Sequence, residues 1–410
     1  MRIAHEHFRF SLIAALVAAG ACAGKTAKSD TTVAQAGGTV AASNADTHAD
    51  VVKNLAAAAL IKPGDRVMIS GSIRDATLME DAAIEVAKLG GQPMITIGSD
   101  RLSRLSYDNV PATFDSASPT LGMAIANSMD VAISVDVGES DSVLAGVPAA
   151  RIAARAKAGQ PVGLAMLKRS VRSVSLGNGL YPNAQTASRL GVPQSTLADM
   201  FWRATAVAPS VLQATGDSLR MAIASAKTVK ITAANGTDIS FSTEMAKGFI
   251  SDGSISPDRV KQGGAAVQTW LPAGELLSPI AIGSAEGKIV IDKLIAQGTV
   301  VTGLTLTFSK GKLTAMTATS GLDAVKSAYD AGTSGKDVLS YLDLGLNHEV
   351  KLPLGTGRTV WMAAGAVTLG LGDNTGWGGS NTSDYSAALP IAGATLSVDG
   401  KTLIENGALK

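Results

Sequence analysis

Cysteine, histidine and aromatic side chains are the scarce residues of this chain. Of 410 residues one is cysteine and four are histidine, while Phe, Trp and Tyr together make up 4%. A single cysteine excludes an intrachain disulfide, so stability in an oxidising compartment has to come from packing. The shortage of aromatics leaves Ala, Val, Leu and Ile to build the core. Neither sign of charge is in excess. Once Arg2, Arg9 and Glu6 of the first segment are set aside, Lys plus Arg and Asp plus Glu balance at 33 each. A chain without a net field is a poor partner for nucleic acid or for an electrostatically held membrane surface. The common catalytic strings are missing as well, with no His-Glu-Xaa-Xaa-His, no Gly-Xaa-Ser-Xaa-Gly and no Cys pair.

What is there is length and apolar content. At 46% hydrophobic the chain can bury a separate core in each of two domains. The N-terminus reads as an export signal over 1–21. Arg2 and Arg9 give a positive start, Phe10 to Ala19 an apolar run too short to span a bilayer, and small residues follow. The run ends Ala19-Gly20-Ala21-Cys22, which resembles a bacterial lipobox whose thiol is lipidated; the plainer reading is a signal peptide cleaved near Ala21. A lipidated Cys22 makes the membrane a partner through an N-terminal anchor. With Ala23 rather than Asp next, the expected location is the outer membrane, facing the periplasm. Residues 22–46 are small and polar, cannot offset the entropy of ordering, and read as a tether.

From 47 to 225 β and α signals alternate. A helix is predicted over Thr47 to Ile61, stopped by Lys62-Pro63-Gly64. Apolar strands are predicted at Arg66 to Ser70, Met94 to Ile97, Val131 to Val135 and Val162 to Met166, and a helix over Asp75 to Leu89. Buried strands separated by helices predict an α/β N-terminal domain with a mainly parallel sheet. From 226 to 410 the pattern changes to hairpins. Asn235-Gly236 is a strong turn signal, and strand pairs are predicted around Glu286-Gly287, Lys310-Gly311 and Asp399-Gly400. One helix, Leu322 to Ala331, interrupts them, so this is an α+β C-terminal domain rich in antiparallel hairpins.

The stretch that concentrates chemistry is Leu271-Pro272-Ala273-Gly274-Glu275, a lone carboxylate set between apolar runs. Such a Glu is costly to bury without a cation or donor, which makes Glu275 the first functional candidate. Together with Asn235 to Ile239, Asp252-Gly253 and Ala285 to Ile289, this stretch resembles the aminopeptidase T family of thermophilic metalloproteases. Leu60 to Val67 and Asp399 to Gly407 extend the resemblance over nearly all of the mature chain. It implies a two-metal peptidase fold in which the Glu matching Glu275 is the first metal ligand. A homodimer enclosing the cavity is implied by resemblance only.

The remaining family ligands do not carry over. Where the family has Glu in a Glu-Leu-Gly-Ile-Gly-Xaa-Asn motif, this chain has Tyr341, in Tyr341-Leu342-Asp343-Leu344-Gly345-Leu346-Asn347. Thr368 stands at the family's His before Gly370-Leu371-Gly372. The closing His-Xaa-Asp pair, after Gly378-Gly379-Ser380-Asn381, is Ser386 and Ala388. The resemblance thus implies a fold that is kept and a di-metal site that is lost. Glu275 and Asp343, the latter two residues after Tyr341 and on the same strand face, together with one of His348, Glu349, Asp373 or Asp384, are the candidates for a rebuilt single-metal site holding zinc, cobalt or manganese. The plainer reading of His348 and Glu349 is an exposed loop pair, and of Asp373 and Asp384 turn residues. Gly332-Thr333-Ser334-Gly335-Lys336 lacks the spacing of a phosphate loop and reads as a turn.

Three functions stay open from the sequence. The first is an exported, lipid-anchored, metallopeptidase-like protein without bound cofactor, which binds a peptide or small molecule in the old cavity. The second is an active metallo-aminopeptidase with one rebuilt metal. The third is a structural envelope protein without ligand.

Overall fold

The computed structural model describes residues 45–135, 143–296, 299–351 and 360–410. The export segment, Cys22 and the tether to residue 44 lie outside the described residues. Two compact units result. One comprises the described residues up to Ser175 together with Ile255–Gln268, the other Leu176–Ser254 and Thr269–Lys410.

The first unit is the α/β layer. It runs α1 (Ala45–Ala58), β1 (Arg66–Ser72), α2 (Ala76–Lys88), β2 (Gln92–Gly98), α3 (Asp100–Asn109), α4 (Thr120–Ser128), β3 (Val131–Val135), α5 (Ala149–Lys168) and β4 (Arg172–Leu176). In space the strands follow β2-β1-β3-β4, and β1 pairs in parallel with both β2 and β3. Strands of a parallel sheet are covered on both faces and so read as unbroken apolar runs; β3 is buried at all five positions. Met68 and Ala132 on one face pack with Met129, Val162 and Met166 from the helical side.

The strand expected at Val162 to Met166 is instead the last part of α5. Val162 is 2% and Met166 6% exposed, but Leu164 between them is 64% exposed. An alternating strand would bury all three. Burial at i and i+4 with the middle residue outside is the signature of a helix face, and a run of five apolar residues cannot by itself distinguish the two. The fourth strand lies just beyond, at β4. Among the described residues no helix is long and apolar enough to cross a membrane.

The second unit begins with α6 (Ala184–Leu190), α7 (Gln194–Ala206) and α8 (Pro209–Ala224), then becomes strand-rich. β5 (Val229–Thr232) and β6 (Asp238–Phe241) form the hairpin that Asn235-Gly236 signals, with Asn235 Oδ1 accepting from Thr237 N–H at 3.1 Å. β7 (Phe249–Ser251) follows; α9 (Pro257–Gln262) belongs to the first unit. Next come β8 (Gln268–Leu271), β9 (Glu275–Pro279), β10 (Glu286–Ala296), β11 (Thr299–Ser309), β12 (Lys312–Thr317) and α10 (Leu322–Ala331). β13 (Leu339–Gly345), β14 (Val367–Gly372), β15 (Ser386–Ile391), β16 (Thr395–Val398), β17 (Lys401–Glu405) and β18 (Ala408–Leu409) complete the chain.

Lys310-Gly311 and Asp399-Gly400 turn as expected, both residues of each pair having positive φ. Glu286-Gly287 does not turn. Gly287 lies opposite Ile239 on one side and Phe308 on the other, so both neighbours continue the ladder through it. An eight-stranded sheet runs β12-β11-β10-β6-β5-β16-β17-β18, and a five-stranded antiparallel sheet runs β15-β14-β13-β9-β7. The smaller sheet carries the residues of interest.

Candidate functional site

Register places the candidates before any side-chain detail is needed. Residues directly opposite across an antiparallel pair share a face. Gly345 lies opposite Glu275, Asp343 opposite Leu277 and Thr368, and Tyr341 opposite Pro279 and Gly370. Gly370 lies opposite Ala388 and Gly372 opposite Ser386. Glu275, Tyr341, Asp343, Thr368, Ser386 and Ala388 therefore all project from one face. The opposite face is apolar, with Leu276, Leu342, Leu344, Leu369, Leu371 and Leu389 at 3% exposure or less. α8 packs on that side, where Gly216 leaves room for Ile250.

Glu275 is aimed by the turn before it. Gly274 has φ of 124°, and a Cβ there would stand 2.9 Å from the Asn347 Cβ. Only glycine fits both demands. Its N–H donates to Ser251 O at 3.0 Å and its carbonyl accepts from Leu346 N–H at 2.9 Å. Asn347, fully buried, donates from Nδ2 to Ala273 O at 2.8 Å and Ala204 O at 3.0 Å. The Pro-Ala-Gly-Glu turn is thus fixed from three sides, and Glu275 starts β9 at 3% exposure. Asp343, also 3% exposed, is its diagonal neighbour on β13.

Next to the carboxylates the face is aromatic. Tyr341, 5% exposed, lays its ring across the neighbouring strand at Gly370, where a Cβ would stand 1.9 Å from Cε1. Its centroid is 5.9 Å from that of Trp377, which stacks on Phe249 at 6.1 Å and 23°. Phe249 and Trp377 are half-buried, as are Ser386 and Ala388.

Trp377 sits in a short 3-10 turn, Thr375–Trp377, held by buried asparagines. Asn374 Nδ2 donates to Ser340 O at 2.7 Å, and its Oδ1 accepts from Asn381 N–H at 2.9 Å. Asn381 Nδ2 donates to Gly372 O and Gly335 O at 2.7 and 2.8 Å. The Gly378-Gly379-Ser380-Asn381 string, read in the sequence only as a landmark, therefore has a structural task of its own. Trp377, Phe249 and these asparagines are the residues that sequence reasoning missed. A lone aromatic in a Gly-rich loop was the available signal.

The other sequence candidates fall elsewhere. His348 follows β13 in an exposed turn, with 58% of its side chain accessible and Nε2 3.5 Å from Glu349 Oε1. Glu349 Oε2 accepts from Arg203 Nε at 3.0 Å. Asp373 accepts from the Thr375 N–H and hydroxyl and from Ser383 N–H. Asp384 Oδ1 accepts from the Thr333 N–H at 2.6 Å and hydroxyl at 2.7 Å, and these bonds hold its carboxyl below the usual range.

A two-metal centre needs four to six converging N or O donors on ions about 3.5–4 Å apart. The face supplies two carboxylates and, at the other positions that the sequence resemblance matches to ligands, a phenol ring, two aliphatic hydroxyls and a methyl group. Among the described residues no three His, Cys, Asp or Glu side chains gather closely enough to hold a metal ion. The donor set present does not fit the family's di-metal centre.

Residues 42–336 match the family model for thermophilic metalloprotease (M29). The matched span takes in Glu275 and ends before Tyr341. Among solved structures the chain is similar to wild-type AmpT from Thermus thermophilus, with TM-score 0.65 and 16% identity over 89% of this chain and 99% of that one. It is also similar to 2,5-dihydroxypyridine dioxygenase from Pseudomonas putida KT2440, with TM-score 0.52 and 14% identity over 88% of this chain and 96% of that one. At these identities the likeness is one of fold. Comparison with curated protein sequences gave no match.

Proposed function

We propose that this chain, which belongs to the thermophilic metalloprotease (M29) family, is an exported, lipid-anchored member that has lost the family's di-metal hydrolysis and uses the former metal face to bind a peptide or small molecule. One observation carries the reading. The five positions that the sequence resemblance matches to family ligands lie on a single sheet face, and at four of them stand Tyr341, Thr368, Ser386 and Ala388. Ala388 offers no donor, and a phenol and two neutral hydroxyls are weaker donors to divalent metal than the imidazole and carboxylate groups expected there. The rest of the scaffold is intact, including the turn that aims Glu275. Attachment through Cys22 and a periplasmic setting are supported by the N-terminal sequence alone, and a homodimer by family resemblance alone.

Glu275 and Asp343 sharing a face is what favours the second reading, a single-metal aminopeptidase. His348 stands in an exposed turn and adds no nitrogen to that face, which weakens it.

The test is metal content and ligand response of the full chain purified in detergent. After incubation with zinc, cobalt or manganese and removal of free ion, less than a tenth of an equivalent of metal is expected. A screen of peptides and small molecules should yield at least one compound that raises the melting temperature by mass action. Stoichiometric metal that is lost in Glu275→Ala, with hydrolysis of amino-acid amides, would establish the second reading instead. No metal and no stabilising compound would leave a structural envelope role.

A further inference from the structure

The helices of the first unit differ in what they bury. α2 buries Leu78, Met79, Ala82 and Val86 and packs on β1 and β2. α3 buries no residue. Polar bonds hold it instead. Arg104 Nη1 donates to Ala145 O at 2.6 Å, and Arg155 donates to the Ser106 hydroxyl at 2.7 Å and to Ser106 O at 2.8 Å. The Arg155 guanidinium also lies 3.9 Å from the centre of the Tyr107 ring. Leu102 and Leu105, neighbours on the helix surface, are left 40% and 37% exposed. A helix in a protein gains most of its stability by burying an apolar face, so leucines left outside such a helix call for a partner.

The exposed run continues beyond α3. Arg151 donates to Tyr107 O, to Val110 O and to both oxygens of Asp115, which ties the end of α3 to the short turn Ala112–Phe114. Val110 is 39% exposed, Phe114 62% and, in the first turn of α4, Leu121 62%. Among the described residues, five of the fifteen exposed large apolar side chains thus fall between Leu102 and Leu121. Single exposed apolar residues are ordinary, whereas a run of them marks a contact surface. The 22 residues between Cys22 and Ala45 reach at most about 80 Å when fully extended. They enter α1, which packs on α2 of the same unit. A lipid at Cys22 would therefore keep this unit near a bilayer. Arg101 and Arg104 stand beside the leucines, a combination found in helices that lie in the headgroup layer. The contact is apolar, so the chain's lack of net charge does not oppose it.

We propose that α3 and the segment after it dock on a phospholipid bilayer, with Leu102, Leu105, Val110, Phe114 and Leu121 entering the headgroup boundary. The proposal rests on the reading of Cys22 as a lipid anchor, and it names the face that meets the lipid.

The experiment labels introduced cysteines, because Cys22 is the only native one and lipidation consumes its thiol. The full chain, as wild type and as Leu105→Cys, Phe114→Cys and Leu164→Cys, is treated in detergent with a thiol-reactive bimane dye. Each is then reconstituted into phosphatidylethanolamine and phosphatidylglycerol vesicles, with and without lipid brominated on its acyl chains. Leu164 is the control, 64% exposed on α5 and about 20 Å along that helix from Arg151. Brominated lipid is expected to lower emission at least about twofold at Leu105→Cys and Phe114→Cys and to leave Leu164→Cys unchanged. Bromines near the headgroup should quench more than deep ones, since such helices sit about 5–10 Å into the boundary. No quenching at Leu105→Cys and Phe114→Cys, or equal quenching at all three, would overturn the proposal. Blue-shifted emission without quenching would assign the surface to a second copy or another protein and overturn it as well. Dye on the wild type would overturn the anchor reading by itself. The quenching is then read in the Cys22→Ala background, where the same pattern keeps the membrane face and its absence ends both readings.

Discussion

The Tyr341 ring lying across β14 can be tested through the residue beneath it. Gly370→Ala adds one methyl group, whose carbon would stand 1.9, 2.0 and 2.4 Å from Cε1, Cδ1 and Cζ of Tyr341. Carbon atoms in contact prefer about 3.5–4.0 Å, so the ring must retreat by roughly 1.5–2 Å. Trp377 stands against it at 5.9 Å between centroids and limits that movement. Overpacking of this kind costs about 1–3 kcal/mol. The backbone itself does not resist, because Gly370 is not in the left-handed region. Alanine there should gain about 0.4–1 kcal/mol through the unfolded chain.

Tyr341→Ala alone should cost about 3–5 kcal/mol, as for other buried aromatics. In that background Gly370→Ala has nothing to strike and should be neutral or stabilising. The two changes should therefore couple by about 1–3 kcal/mol, measured as a double-mutant cycle of urea midpoints at constant slope. If Gly370→Ala shifts the midpoint equally with and without the Tyr341 ring, the ring does not lie there. The placement of the ring across β14 at Gly370 would then be wrong.

Three further outcomes are expected. Restoring the family donors with Tyr341→Glu, Thr368→His, Ser386→His and Ala388→Asp together should give a less stable apo chain that takes up zinc and regains melting temperature with it, by about 2.7 kcal/mol at a hundredfold excess over Kd; a folded variant that ignores zinc would show that these positions do not converge. Asn347→Ala leaves the buried Ala204 and Ala273 carbonyls without their donor and should destabilise by about 1–3 kcal/mol for each group left unsatisfied, read by denaturant unfolding. In the first unit Asp115 accepts from Arg151 Nε at 2.5 Å and Arg155 Nε at 2.6 Å. Hydrogen bonds from Arg151 first, and then Arg155, lower its carboxyl to about 2. Its stabilisation is complete above the unfolded value of about 4 and fades as pH falls towards the folded one. The melting-temperature gap between wild type and Asp115→Asn should accordingly be widest above pH 4 and close towards pH 2.

How much of this was legible beforehand differs between elements. β1, β3, α2, α10 and the Asn235-Gly236 hairpin could be read because each carries its own local signal, an apolar run, a helical period or a positive-φ pair. The segment Val162 to Met166 was misread because five apolar residues satisfy strand and helix alike, and only the packing partners of α5 decide which side chains are inside. Glu286-Gly287 was misread because a turn signal yields when pairing strands on both sides satisfy the backbone.

For the site, the sequence by itself determined which side chains are available. Glu275 is present, and Tyr341, Thr368, Ser386 and Ala388 stand where the family resemblance expects donors, whatever the fold does with them. What only the tertiary structure decided is which of those residues meet. Side-chain direction alternates along a strand, and strands distant in the chain are brought into register by hydrogen bonds that no local pattern encodes. That register put Asp343 beside Glu275 and left His348 in an exposed turn. It also laid Tyr341 over a glycine 29 residues on and set Trp377 from a Gly-rich loop against it.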